Sequence, residues 1–465
     1  IICTIGPASQ NKETLTAMCK AGMNVARMNF SHGTYPEQQA KMDLVKEVRQ
    51  ELGLPIAIML DTKGPEYRIR TFKDGKITLN EGDTFIFTTD EVEGDQTRVS
   101  VNYKKLTENL NVGDRILVNN GLVVCEVTAI EGASIVTKVL NGGVLSDRKS
   151  MSFPNKVMSG PYLSEQDKQD LLFGIQNEVD FVAASFVSSK SDMQELRSFL
   201  NANGGGNIEL IAKIENRSGV DNIEEICELA DGVMIARGDL GVEIPFVEVP
   251  AIQKRLTSTC RMLGKRVITA TEMLESMIQN PRPTRAEISD VANAVYDGSS
   301  AVMLSGESAA GKHPVEAVKT MADICEFTEQ HTSYQKRFYK ADFRIRNTLD
   351  AVSHAVCAMA IDVGAKGIVV CSVSGTTARM VSRFRCPVDI IGMTTDERIY
   401  RRLSLSWGVT PVLAEEFTSQ DVMFFHAMSS AKQVLHLEKG DRVVLTGGPI
   451  NGKTGNTNTI KVETV

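Results

Sequence analysis

Eight short apolar runs recur through the first 306 residues. They fall at Ile1–Gly6, Met23–Phe30, Pro55–Asp61, Phe181–Phe186, Glu209–Glu215, Gly232–Asp239, Arg266–Met273 and Ala301–Gly306. Each is close to continuous rather than alternating, the pattern of a parallel sheet covered on both faces. Stretches with helical spacing lie between them, among them Ile223–Leu229 and Ala286–Val295. Eight strand–helix units in about 250 residues predict a closed (β/α)8 barrel of the TIM type. An open doubly wound sheet is the alternative.

The pattern changes after the third run. From about 66 to 158 apolar and polar residues alternate, with turn signals at Lys73-Asp74-Gly75-Lys76, Asn80-Glu81-Gly82-Asp83, Val112-Gly113-Asp114, Asn119-Asn120-Gly121 and Glu131-Gly132. Short strands between such turns predict a small all-β domain, a barrel or a sandwich. It is inserted between a strand and its helix, at the barrel end where active sites lie, which suits a lid. Beyond about 330 the helix Ala351–Ile361 and the strands Gly367–Ser372, Asp389–Met393 and Asp441–Thr446 predict a separate α/β domain. The expected division is therefore 1–65 with 159–330 for the barrel, 66–158 for the lid and 331–465 for the C-terminal domain.

Composition narrows the function classes. A chain of 465 residues is expected to hold several domains. No apolar stretch approaches the roughly 20 residues of a membrane span. The formal net charge of −7 and the lack of a basic tract argue against nucleic acid, so any phosphate must be met by local Arg and Lys. The nine cysteines are odd in number and never spaced C-x-x-C, which points away from zinc and disulfides and toward a cytoplasmic protein with thiols in its core. The chain opens inside an apolar run, so a natural start is expected to be missing.

The strongest chemical signal is Ala212-Lys213-Ile214-Glu215-Asn216. Two residues apart on a strand, Lys213 and Glu215 share a face. The next strand is expected to end at Asp239, within reach of Glu215. Two carboxylates with open positions suit a hard divalent cation, Mg2+ or Mn2+. Gly238 and Gly241 make a turn into a following helix near Val247–Met262, and its N–H groups suit an anion. Arg27, Asn29 and Ser31 alternate onto one face at the end of the second strand, followed by His32. The third ends at Asp61-Thr62, with Glu66 and Arg68 beyond. Arginines here can grip phosphate in a fork, and Asn29, Ser31, Asp61 and Thr62 offer oxygens to a monovalent cation. Thr271 on the seventh strand could relay or orient a proton.

These residues sit in strings that resemble the pyruvate kinases over essentially the whole chain. The strings are CTIGPAS at Cys3–Ser9, ARMNFSHG at Ala26–Gly33, LDTKGPE at Leu60–Glu66, AKIEN at Ala212–Asn216, ARGDLGVEIP at Ala236–Pro245 and ITATEMLESM at Ile268–Met277, with NPRPTRAEISDVANAVYDG at Asn280–Gly298 and MLSGESAAGKHP at Met303–Pro314. The resemblance implies phosphoryl transfer from phosphoenolpyruvate to ADP, giving pyruvate and ATP. It implies that Glu215 and Asp239 hold Mg2+, and that Lys213 and Arg27 meet the phosphoryl group. The Gly238–Asp239 backbone would receive the substrate carboxylate beside Thr271. His32 and Arg68 would lie toward the nucleotide, and Asn29, Ser31, Asp61 and Thr62 would bind K+. A glutamate at Glu66 goes with K+ dependence in this family.

The chain departs from the family pattern mainly in the lid, at Asn119-Asn120, at Ser150 and Ser152, and at Ser188, leaving Lys149 as the candidate lid contact to the nucleotide. Ser374-Gly375-Thr376-Thr377 resembles the family's loop for an effector phosphate, over which 447–455 would close; a sugar phosphate or AMP would fit. A homotetramer is implied by family alone. The competing enzyme reading is a metal-dependent barrel aldolase or lyase acting on a similar acid, with no need of ADP.

Overall fold

The computed structural model describes residues 1–156, 158–449 and 456–465. The eight runs form strands β1 (Ile2–Thr4), β2 (Val25–Asn29), β3 (Ala57–Asp61), β4 (Phe181–Ala184), β5 (Glu209–Ile214), β6 (Gly232–Ala236), β7 (Arg266–Ala270) and β8 (Ala301–Leu304). Neighbours pair in parallel in chain order, and β1 pairs with both β2 and β8. The ring is closed, which removes the open-sheet alternative.

Closure explains why the runs are continuous. Alternate residues of one strand face the helices outside or the barrel interior, and both environments are apolar. Inside lie Ile2, Val25, Met59, Phe181, Ile211 and Met234, all fully buried. Two residues further along their strands come Arg27, Asp61 and Lys213, still on the inner face. The barrel is thus filled with hydrocarbon below and with charge at its C-terminal end.

The lower end is closed from another part of the chain. Leu405, 1% exposed, packs into the interior core with Ile2, Met59 and Phe181. Around it runs a polar collar. Arg266, the first residue of β7, reaches Glu209, the first of β5, at 2.5 Å and Ser406 Oγ at 3.1 Å. Arg401 Nε donates to Asp180 Oδ1 at 2.9 Å, and Asp180 Oδ2 accepts the Ile58 N–H.

The segment after β3 builds a seven-stranded sheet and a two-stranded one. These sheets enclose their own core, including Phe85, Phe87, Ile116, Val123 and Cys125. The hairpin joining Arg115–Val118 to Val123–Glu131 turns through Asn119 and Asn120, both left-handed at φ 56° and 55°. Asparagine tolerates that conformation far better than most residues. The chain then returns to the helix Glu165–Gln176 and β4.

The C-terminal region carries a five-stranded sheet in the order Val409–Leu413, Asp389–Thr394, Gly367–Cys371, Arg442–Gly447, Thr459–Thr464. The first four strands are parallel and the last is antiparallel. All nine cysteines are free, and eight are buried. No described helix is long and apolar enough to cross a membrane.

One expectation is corrected here. β6 ends at Ala236, and Asp239 lies not on a strand but in the first turn of a short helix, Arg237–Glu243. The following helix begins at Val249, after a 3-10 turn over Phe246–Glu248.

Leu405→Ala would leave a cavity at the barrel floor and cost about 2–5 kcal/mol. Urea unfolding followed by the fluorescence of Trp407, the sole tryptophan, measures this. An unchanged midpoint would remove Leu405 from its structural role.

Candidate active site

A cavity of about 850 Å³ opens between the C-terminal ends of the strands and the inserted β domain. That volume suits a small substrate together with a larger ligand. Its floor is a buried lattice of charge. Asp61, 1% exposed, receives Arg27 Nε at 2.6 Å on Oδ2 and Lys213 Nζ at 3.0 Å on Oδ1. Arg27 Nη1 also donates to Thr4 Oγ1 at 2.9 Å. Lys213 Nζ donates to Ser185 Oγ at 2.6 Å, and the Ser185 hydroxyl donates in turn to the Thr62 carbonyl at 2.6 Å.

Position in this lattice sets each charge. Burial alone would raise the Asp61 carboxyl, but Arg27 and then Lys213 hold it below the ordinary value. Burial opposes the Lys213 charge too, yet Asp61 and Glu215 keep its ammonium above the usual range. Glu215 behaves differently. Burial pushes it up to about 7, against the pull of Lys213, and the charge of Asp239 adds to the rise.

Glu215 also has a buried oxygen without a hydrogen-bond partner among the described residues. Its Oε2 accepts the Phe186 N–H at 2.6 Å. Its Oε1 lies 3.1 Å from Lys213 Nζ, yet this buried oxygen receives no hydrogen bond among the described residues. A buried carboxylate oxygen left this way is costly. Asp239 joins Glu215 on the cavity wall. Among the described residues no group of three or more His, Cys, Asp or Glu gathers to hold a metal. Two hard oxygens with room for solvent and substrate are a donor set that fits Mg2+.

Thr271 and Gly238 lie beside the cavity rather than in its wall. Thr271 Oγ1 accepts the Gly238 N–H at 2.8 Å and donates to Ala270 O at 2.6 Å. Thr271 and Glu272 are both left-handed, at φ 69° and 54°. For a β-branched residue this is a strained conformation, of order 1–3 kcal/mol. Arg237 holds it: its Nη2 donates to the Thr271 carbonyl at 2.6 Å, while Nη1 pairs with Asp290 at 2.8 Å.

The remaining sequence candidates separate by position. Asn29, Ser31 and His32 line the cavity, and Asn29 Oδ1 accepts the Ser31 N–H at 3.0 Å. Asp61 and Thr62 lie beneath it, and Thr62 Oγ1 accepts the Ser185 N–H at 3.1 Å. Gly64 makes this crossing possible, since a Cβ there would sit 2.8 Å from Ser185 Cβ. Arg68 lines the wall, donates to Arg148 O at 2.5 Å and pairs with Glu66, which also meets Lys63 at 2.7 Å.

Lys149 is not among the lining residues. The neighbouring Ser150 and Ser152 are, with Asn120 and Lys156, and Lys156 pairs with Asp114 at 2.6 Å. Ser188, also in the wall, is held by Asn216 Nδ2 at 3.0 Å.

Sequence reading missed Ser185 and Glu243. Ser185 was detectable, because it follows Phe181 and Ala183 on the inner face of β4. Glu243 was not, because only folding brings it to Ser152 and Phe153 of the β insertion; burial pushes its carboxyl up to about 7. Ser374, Gly375, Thr376 and Thr377 lie far along the chain, in the C-terminal region. There Gly375 is left-handed at φ 71°, Ser374 Oγ donates to Thr376 Oγ1 at 3.0 Å and Thr377 Oγ1 bonds Thr457 Oγ1 at 2.6 Å. Residues 450–455 of the expected closing loop lie outside the described residues.

A closed β/α barrel with Lys, Arg and two carboxylates at its mouth, beside an inserted β domain, has the cations and hard oxygens that phosphoryl-transfer enzymes use. Residues 1–318 match the family described as pyruvate kinase, barrel domain, and 350–463 match pyruvate kinase, alpha/beta domain. The chain belongs to the pyruvate kinase family. It is 45% identical over 467 residues to the pyruvate kinase of Clostridium acetobutylicum, covering 100% of this chain and 99% of that one. It is 47% identical over 468 residues to that of Geobacillus stearothermophilus, covering 100% and 80%. The crystal structure of a pyruvate kinase from Cryptosporidium parvum matches with a TM-score of 0.95 at 36% identity, over 100% of this chain and 95% of that one.

Asp61→Asn would leave two buried cations without their shared anion and cost about 3–5 kcal/mol at neutral pH. Because the folded-state value of Asp61 is depressed, its contribution is present above the ordinary carboxylate range and lost as pH falls through the lower value. The gap to wild type therefore closes in acid. Denaturation at pH 7 and in acid measures both halves, and a gap that is absent at pH 7 or widens in acid refutes the assignment.

Proposed function

We propose that this protein transfers the phosphoryl group of phosphoenolpyruvate to ADP, yielding pyruvate and ATP in the cytoplasm. The observation that carries the reading is the buried Lys213 ammonium, fixed by Asp61 beside the unpartnered Oε1 of Glu215. A terminal phosphate oxygen of ADP attacks phosphorus, the bond to the enol oxygen breaks, and the enolate takes a proton at its methylene carbon.

Phosphoryl transfer asks mainly for positioning and neutralisation of charge. Lys213 neutralises the transferring group, and Arg27, its Nε tied to Asp61, clamps that group from the side. Glu215 and Asp239 would hold Mg2+, or Mn2+ in its place. The ion, when bound, supplies positive charge to the substrate oxygens. The substrate carboxylate is received at the backbone of Gly238 and Asp239. The Gly238 N–H now given to Thr271 Oγ1 would exchange onto it, and the Thr271 hydroxyl, whose proton now goes to the Ala270 carbonyl, would turn from that carbonyl to help protonate the enolate through water.

His32 and Arg68 face the nucleotide, with Lys149 a further candidate from the sequence and Lys156 the lid lysine in the wall. Asn29, Ser31, Asp61 and Thr62 form the proposed K+ site; amide, hydroxyl and carboxylate oxygens suit an alkali cation.

The reading extends to architecture and regulation. Separate apolar cores support the division into 1–65 with 159–330, 66–158, and 331–465. Ser374 to Thr377 would take the phosphate of a sugar phosphate or AMP. The same helix carries Arg379, which approaches Glu209 at 3.5 Å and Asp231 at 3.6 Å below β5 and β6, a physical link from that loop to the strands bearing the site. A homotetramer is part of the proposal on family grounds.

Lys213→Met should reduce pyruvate formation by at least about 10³-fold with circular dichroism unchanged. Near-normal turnover would refute the mechanism. Product from phosphoenolpyruvate without ADP would favour the aldolase or lyase alternative. Glu66, held between Lys63 and Arg68, keeps its negative charge, so turnover in Na+ alone is expected to be several-fold slower than in K+. Equal rates would remove the K+ site.

A further inference from the structure

A second, much smaller cavity lies where the barrel meets the C-terminal region. Its volume is about 10 Å³, room for one water-sized particle. Its polar wall consists of Arg261 from the helix Val249–Met262, Tyr334 and Arg337 from the helix Tyr334–Lys340, and Arg385 just beyond the helix Thr376–Ser382. The rest of the lining is apolar or glycine, and no carboxylate contributes to it.

Two donors in this wall are unspent. The hydroxyl of Tyr334, a residue 9% exposed, and the buried Nε of Arg261 have no hydrogen-bond partner among the described residues. Arg385, 5% exposed, is satisfied only by neutral groups. Its Nη1 donates to Ser382 O and its Nη2 to Gly298 O, both at 2.7 Å, and its guanidinium lies over the Trp407 ring. Arg337 Nη1 donates to Tyr296 O at 2.6 Å. Burial, followed by the field of Arg261, pushes Arg385 down to about 9. The Glu329 carboxylate, whose field reaches Arg385 and Tyr334, turns instead to Trp407 Nε1 at 2.7 Å.

The buried Arg385 and the half-buried Arg261 face this cavity with no carboxylate in its wall, which carries a desolvation cost that the exposed Arg337 does not share. A water molecule would satisfy the two free donors but would leave the charge. We infer that this cavity is a binding site for one small inorganic anion of halide size, held by Arg261, Tyr334 and Arg385. Bound there, it neutralises the cluster and ties a barrel helix to the C-terminal region. The inference does not depend on the catalytic reading.

Two measurements test it. Crystals of the full chain soaked in sodium bromide should give a bromine anomalous peak in the cavity, against Arg261 Nε and the Tyr334 hydroxyl. Thermal unfolding in sodium chloride should exceed that in sodium gluconate of equal ionic strength by roughly a few degrees. The difference should shrink in Arg261→Met and, to a smaller extent, in Tyr334→Phe, with turnover of both variants retained. Ordered water in place of bromide, or a chloride effect that neither variant alters, would overturn the proposal. The bromide result stands on the wild-type chain even if Arg261→Met does not fold.

Discussion

The site is organised around one buried carboxylate. Asp61 accepts from both Arg27 and Lys213, so two cations that would otherwise repel each other are held on the inner face of the barrel. Both are largely buried, so an anion between them offsets the cost of taking their charges out of water. The arrangement has a second effect. With Lys213 committed to Asp61 and Ser185, Glu215 is only partly compensated, and its Oε1 stays open. Under the proposed function, this unfinished carboxylate and the fixed ammonium beside it would receive an ion and a phosphate together.

The barrel makes this possible by being asymmetric from end to end. The lower interior layers are hydrocarbon and are sealed by Leu405 from the C-terminal region. Charged residues of both signs form a collar around that seal, with Arg266, Glu209 and Arg379 in reach of one another. The upper layer is polar. A strand such as β5 therefore begins in an ionic collar at Glu209, runs through apolar packing at Ile211 and ends at Lys213. Three strand residues, Leu210, Ile211 and Ala212, separate Glu209 from Lys213.

The inserted β domain meets the site with mostly neutral groups. Its hairpin at Asn119-Asn120 keeps the left-handed backbone while carrying no charge, and Asn120 accepts a hydrogen bond from Ser150 at 3.1 Å. Two ionisable side chains near the seam are Lys156, outside the family strings, and Glu243, inside ARGDLGVEIP. Glu243, raised by burial, meets the insertion's Ser152 and Phe153.

The sequence by itself determined the barrel strands, the inserted β segment, the C-terminal α/β region and the identity of Lys213, Glu215 and Arg27 as a set. These are local properties: hydrophobic period, turn chemistry and spacing along a strand. It could not say that Asp239 leaves its strand for a helix, that Thr271 is strained and bonded to Gly238, or that Lys149 stands outside the cavity wall while Lys156 is part of it. Nor could it join Leu405 to Phe181, or Arg261 to Tyr334 and Arg385. Those facts depend on pairings between residues tens to hundreds of positions apart. Only ring closure and domain packing decide which side chains share a buried volume, and burial decides which charges need a partner.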